Sequence, residues 1–167
     1  MAEDFNIEDY DENIWDKVID VNLKGVFLSC QIIGSAMASN GQGSIINIGS
    51  IYGMLSPDQR LYEYRKDSGE VFFKPIAYSA SKSGIYGLSR YLATYWAKNN
   101  VRVNTLTLGG VFNNQDEEFL DEYHKKVPLG RMAKSQEYVG AIIFLLSEAS
   151  SYMTGANLVV DGGWTAF

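Results

Sequence analysis

A single cysteine, Cys30, and a single histidine, His124, set the first limits on this 167-residue chain. One cysteine excludes an internal disulfide framework, and one histidine leaves no ligand cluster for a metal. Cys30 reads as a small core residue of a helix, and His124 as a loop or helix-end residue. Positive charge is scarce: 14 Lys and Arg stand against 20 Asp and Glu, a formal net charge of −6. With no basic cluster, a nucleic-acid partner is excluded. No apolar run approaches the roughly 18 residues of a membrane span, and the opening Met1-Ala2-Glu3-Asp4 is unlike a signal peptide, so the expectation is a cytoplasmic protein without a membrane partner. The sixteen glycines form neither a G-x-x-x-G-x-G nor a G-x-G-x-x-G turn. The cradle that would hold a dinucleotide's phosphates is missing.

What is present is ordinary for a globular protein, 46% hydrophobic and 20% charged residues, and its length suits one domain. Trp15, Val18, Ile19, Asn22, Leu23, Val26, Cys30, Ile33 and Met37 recur at three- and four-residue steps, which predicts one long helix capped by Asp9 or Asp11. Asn22 sits on that apolar stripe, where an amide must find partners. Asn40-Gly41-Gln42-Gly43 is a turn, and Ser44 to Ile48 a buried strand. Residues 56–75 are polar and aromatic without clear periodicity. They predict a long loop beside Ser50 and Tyr78, a candidate substrate lid. Ile85, Leu88, Leu92 and Trp96 predict a second helix, Val101 to Leu108 a strand ending at Gly109-Gly110, and Asp116 to Lys126 a helix. Ser135 is read as the cap of a further helix facing inward through Val139, Ile142, Ile143 and Leu146. Asn157 to Val160 is the last strand. This alternation is that of a parallel α/β sheet.

Tyr78-Ser79-Ala80-Ser81-Lys82 carries the chemistry. Tyr78 and Lys82 lie one helical turn apart on one face, and an ammonium beside a phenol favours its phenolate, which makes Tyr78 a candidate acid/base. Ile45-Ile46-Asn47-Ile48-Gly49 delivers Ser50 upstream, and the first helix delivers Asn22. Together these four resemble the Asn-Ser-Tyr-Lys set of the short-chain dehydrogenase/reductase family. The likeness runs through Val21-Asn22-Leu23-Lys24-Gly25, Leu108-Gly109-Gly110-Val111-Phe112-Asn113, Pro128-Leu129-Gly130-Arg131, Thr154-Gly155 and Val160-Asp161-Gly162-Gly163. Leu108 and Asn113 stand where the family has Pro and Thr.

The resemblance implies the C-terminal part of a Rossmann-type, doubly wound parallel sheet, about three parallel strands with flanking helices. By the family plan about 80–90 preceding residues are absent, judged from ordinary element and loop lengths. Residues 1–167 are then one N-terminally truncated catalytic domain. The implied activity is an oxidoreductase interconverting an alcohol and a ketone with NAD or NADP. Tyr78 would exchange the proton, Lys82 would support it and bind the cofactor's ribose, and Ser50 would hydrogen-bond the substrate oxygen. Asn22 would hold its helix bent and fix a water leading to Lys82. Gly109, Gly110, Val111 and Asn113 would meet the carboxamide. Within the family, Gly49-Ser50-Ile51-Tyr52-Gly53, the Pro57-Asp58-Gln59-Arg60 insertion and the Gly110-Val111-Phe112-Asn113-Asn114-Gln115 loop look like a branch found with bacterial surface-sugar and flagellin-modification genes. That suggests a sugar or sugar-nucleotide substrate, with Ser50, Tyr52, Gln59, Arg60, Asn114 and Gln115 as contacts. Family members commonly pair through the Asn22 and Tyr78 helices, so a homo-oligomer is expected. The competing reading is a catalytically incompetent scaffold, or a partner of a full-length paralogue.

Overall fold

The computed structural model describes residues 6–69 and 72–167, apart from the side chains of residues 67 and 68. Met1 to Asp4 lie outside the described residues. The first helix, α1, spans Glu12–Ser39. Asp11 caps it, accepting from the Asn13 N–H at 2.8 Å. The helix widens into π-helical turns at Asp20–Lys24 and Cys30–Gly34, irregularities that recur at functional sites. The first contains Asn22. The expected stripe faces inward except for Ile33, which is exposed; Gly34 is buried in its place. By length and composition α1 could cross a membrane, which corrects the expectation that nothing nears a span. Asp20 and Lys24 interrupt the run, yet they form an i,i+4 ion pair at 3.0 Å. Its inner face packs as a core helix does: Cys30 joins Leu92, Ala93, Trp96, Val101 and Val103 in a buried cluster.

Strand β1 is Gly43–Ser50, α2 is the short turn Ile51–Met54, and α3 is Ile76–Trp96. Strand β2 is Val101–Leu108, α4 is Glu117–Lys126, α5 is Val139–Leu146, and β3 is Asn157–Val160. The sheet order is β1-β2-β3, all parallel. Register runs from Gly43 opposite Val101 to Ser50 opposite Leu108, and from Thr105 opposite Asn157 to Leu108 opposite Val160. All three strands therefore end at one level, the carboxyl edge where open parallel sheets place ligands.

Two local expectations change. The 56–75 stretch is not irregular throughout: Asp58 accepts from the Arg60 N–H at 3.1 Å and starts a 3₁₀ helix over Gln59–Ser68. Gly69, at φ 76, ends it. Ser135 does not cap α5. Residues Ser135–Tyr138 form a 3₁₀ turn, and the Glu137 carboxylate accepts from the Lys134 N–H at 2.8 Å. Val139, Ile143 and Leu146 are exposed, and Leu145 is the residue fully buried. A helix apolar all round offers no periodicity to choose its inner face.

Close approach of α1 to α3 depends on Gly34. A Cβ there would stand 2.2 Å from Trp96 Cη2. Gly34→Ala is expected to destabilise the fold by about 1–3 kcal/mol, the scale of overpacking, read as a lower urea midpoint at unchanged slope.

Candidate functional site

The carboxyl ends of β1 and β2 open into a cavity of about 540 Å³. Ser50 sits at its edge because β1 ends there and the chain turns into α2. Its Oγ accepts from the Tyr52 N–H at 3.2 Å, which leaves the hydroxyl proton to be donated. The Tyr86 hydroxyl donates to Ser50 O at 2.9 Å and lies 2.8 Å from Thr107 Oγ1. Thr107 in turn reaches Asn157 Oδ1 at 2.6 Å. One hydrogen-bonded chain thus ties the Ser50 backbone to all three strands.

Helix α3 turns Tyr78 and Lys82 into the same cavity. The Lys82 ammonium donates to Ile48 O at 3.0 Å and stands 5.9 Å from the Tyr78 ring centroid. Burial pushes the Lys82 pKa below its ordinary value, because an ammonium loses hydration there. Asn22 is not in this cavity. Its Nδ2 donates to Ser81 Oγ at 3.3 Å, and Ser81 donates to Tyr78 O at 2.7 Å. Asn22 thus braces the turn that presents Tyr78. It also lines a separate cavity of about 660 Å³ along β1, and Lys82 lines both.

Of the other sequence-read residues, Tyr52, Gly109, Gly110, Val111 and Gln115 line the main cavity. Gln115 Nε2 donates to Val111 O at 2.9 Å, and its Oε1 accepts from the Asn113 N–H at 2.8 Å. Asn113 and Asn114 are exposed and do not line it; Asn114 adopts φ 53. Gln59 and Arg60 also lie outside the main cavity, although Gln59 lines an adjoining one. Arg60 is exposed, its guanidinium held by Asp58 at 2.8–2.9 Å. Gln59 Oε1 accepts from the Lys74 N–H at 2.9 Å, tying together the two ends of the insertion. Arg60 and Lys126 together hold the Asp58 carboxyl well below the usual carboxylate range.

Residues the sequence reading missed complete the walls. Tyr62, Tyr64, Arg65 and Lys74 come from the 56–75 stretch, and Asp116, Phe119 and Tyr123 from α4 and its start. Tyr62 stacks on Phe119 at 5.6 Å, and the Tyr64 hydroxyl donates to Asp116 at 2.7 Å. The insertion is therefore pinned against α4 as one wall. A signal was available: Lys74, Tyr78 and Lys82 are spaced four and four. Lys74 reaches over the Tyr78 ring at 5.2 Å. The Tyr123 hydroxyl accepts from the Gly110 N–H at 2.7 Å. Burial nonetheless pushes its pKa up to about 12.

A nicotinamide end fits these residues. Lys82 and Tyr78 face the strand edge, and among the described residues the Val111 N–H meets no acceptor. No glycine-rich turn is present for the phosphates.

The structure is thus an α/β fold with a parallel sheet, a serine at one strand end and a tyrosine–lysine pair on the adjoining helix. A family profile described as Enoyl-(Acyl carrier protein) reductase matches residues 1–165. The chain belongs to the short-chain dehydrogenase/reductase family. It is 38% identical over 172 residues to the D-arabinitol 2-dehydrogenase (ribulose-forming) of Candida albicans, covering 98% of this chain and 57% of that protein. A short-chain dehydrogenase structure from Leptospira borgpetersenii with bound NAD+ superposes with TM-score 0.87 at 37% identity, over 99% of this chain and 61% of that one. A gluconate 5-dehydrogenase from Burkholderia cenocepacia in complex with NADP and tartrate gives TM-score 0.86 at 28% identity, over 100% and 62%. The chain thus spans less than two thirds of each relative's length.

Tyr123→Phe strips the Gly110 N–H of its acceptor at the cavity floor. A loss of about 1–3 kcal/mol is expected, the cost of an unpaired buried donor, with the Gly110 amide exchanging faster in hydrogen-exchange measurements.

Proposed function

We propose that this chain carries the catalytic part of an NAD(P)-dependent oxidoreductase that interconverts a secondary alcohol and a ketone on a sugar or polyol. The observation that carries this reading is the convergence of Ser50, Tyr78 and Lys82 on one cavity at the carboxyl edge of β1 and β2. When bound, the nicotinamide supplies or accepts the hydride. The chain's own residues do the rest. The Ser50 hydroxyl, its lone pair engaged by the Tyr52 N–H, donates to the substrate oxygen and orients it. In reduction the Tyr78 hydroxyl gives that oxygen a proton and is left as a phenolate; in oxidation the phenolate takes the proton from the alcohol. Lys82 places positive charge beside Tyr78 and anchors on Ile48 O, so its remaining protons are free for a ribose hydroxyl. Asn22 acts on Tyr78 through Ser81. A sugar is favoured over a sugar nucleotide because a cavity of about 540 Å³ must also admit the nicotinamide end. Association through α1 and α3 belongs to the same reading. Val21, Ile32, Tyr91 and Tyr95 leave apolar surface exposed on those helices, as unpartnered interfaces do.

In the active protein, Tyr78→Phe is expected to cut kcat by about 10²–10⁴-fold with cofactor affinity retained. Lys82→Ala should weaken both kcat and cofactor binding. Near-normal turnover by Tyr78→Phe would assign the proton to another group and overturn the reading.

The pH dependence follows from Lys82. Its ammonium is the working form, and burial lowers its pKa in the fold. Activity should therefore fall on the alkaline side at a pH below the ordinary lysine value. The linked stability has the opposite sign: the burial cost is present at neutral pH and is relieved as pH rises through the folded pKa toward the unfolded one. A kcat–pH profile in which Lys82→Arg moves the alkaline limb upward would bear this out, and an unmoved limb would refute it.

A further inference from the structure

Lys74 is a second ammonium at the site, outside the four-residue set on which the proposed function rests. It comes from the insertion, two residues before α3. Its backbone N–H is fastened to Gln59 Oε1 at 2.9 Å, so its position is set by the fold of the insertion. Among the described residues its ammonium meets no carboxylate and no carbonyl. Its contacts are aromatic faces, Tyr78 at 5.2 Å and Tyr52 at 5.9 Å.

The surrounding charges of the described residues do not neutralise it. Lys82 is a second cation in the same cavity, and Arg65 faces Asp116, the one carboxylate among the described lining residues, at 3.6 Å. Tyr64 also occupies Asp116. Among the described lining residues the cations Arg65, Lys74 and Lys82 thus outnumber the one carboxylate, in a chain of net charge −6. Burial pushes the Lys74 pKa down, with no counter-charge among the described residues to offset it. A desolvated cation without an anion is unfavourable unless a ligand supplies one.

A second observation points the same way. Lys74 and Tyr52 also line an adjoining cavity of about 670 Å³, and Ser79 is in its lining. Ser79 Oγ is buried and has no hydrogen-bond partner among the described residues. The Lys74 ammonium and the unsatisfied Ser79 hydroxyl therefore belong to residues that line one cavity, and Lys74 links that cavity to the main one.

We propose that Lys74, with Ser79 as second donor, binds an anionic oxygen group, a carboxylate or a phosphate, on the substrate. This rests on the oxidoreductase reading and narrows it: the substrate is a sugar acid or sugar phosphate rather than a neutral polyol. Gln59 is then a positioning residue, acting through the Lys74 backbone.

The test compares D-gluconate, D-glucose 6-phosphate and the neutral D-glucitol as probes, by ligand-observed NMR titration of the 167-residue chain. The anionic probes should bind in preference to glucitol. Lys74→Met should lower that preference by about tenfold, the scale of one charge-assisted hydrogen bond, and Lys74→Arg should restore most of it. Whichever anionic probe binds tighter and depends more on Lys74 assigns the group as carboxylate or phosphate. Gln59→Ala should lower the preference by a smaller factor. Lys74→Met removes a desolvated charge and no side-chain hydrogen bond among the described residues, so its melting temperature should not fall at pH 7. Equal binding of glucitol and the anions, or a preference unchanged in Lys74→Met, overturns the inference and leaves the oxidoreductase reading standing. Binding of none of the three would overturn both.

Discussion

The parallel register of β1 on β2 is the constraint from which the rest of the site follows. Because Gly43 lies opposite Val101 and Ser50 opposite Leu108, both strands stop at the same level. Ser50 and the Gly109-Gly110-Val111 turn then share one edge. A slip of one residue would turn Ser50 to the other face of the sheet. The register is locked on both sides: Tyr86 bonds Ser50 O and Thr107 from α3, and Arg102 donates to Leu145 O, Ser147 O and Ser150 Oγ at 3.1–3.2 Å. Buried Asn104 adds a further tie, taking Met153 O and the Ala156 N–H.

Helix α3 turns that edge into a chemical site. Its inner face, with Ile85, Leu92, Ala93 and Trp96, packs on the sheet and α1, and this burial fixes the azimuth at which Tyr78 and Lys82 emerge. The two ammoniums beside the Tyr78 ring have different origins and fates. Lys82 is anchored to a strand carbonyl, whereas Lys74 is presented by a loop and remains unpaired among the described residues. Both lose hydration, and in both the pKa falls for that reason. The insertion that presents Lys74 is kept in place by aromatic stacking on α4 and by the Arg60–Asp58–Lys126 cluster. Arg60 is thereby consumed in structure.

Much was legible before any coordinates. Strands β2 and β3 were bounded by their glycines and asparagines, and the α1 stripe was carried by a repeating apolar step from Trp15 to Met37. Tyr78 and Lys82 were visible because helical spacing alone puts them on one face. Where the pattern was uniform, as in the all-apolar α5, it could not choose which residues turn inward. Where it was polar, as in 56–75, it hid a 3₁₀ helix whose start depends on one Asp58 side-chain contact. The chemistry of Arg60 suggests a substrate contact, but a side chain in a loop is aimed by the loop's own folding, and Arg60 turns to Asp58.

The sequence by itself determined the alternation of helices and strands, the family, and the identity of the tyrosine, lysine, serine and asparagine, because these depend on short-range periodicity and on motifs. Only the tertiary structure decided which of them share a cavity. It set Asn22 against Ser81, outside the cavity of Ser50, Tyr78 and Lys82, and it brought Tyr64 to Asp116. Those relations join residues up to 59 positions apart, and they are decided by sheet register and helix packing, which no local pattern encodes.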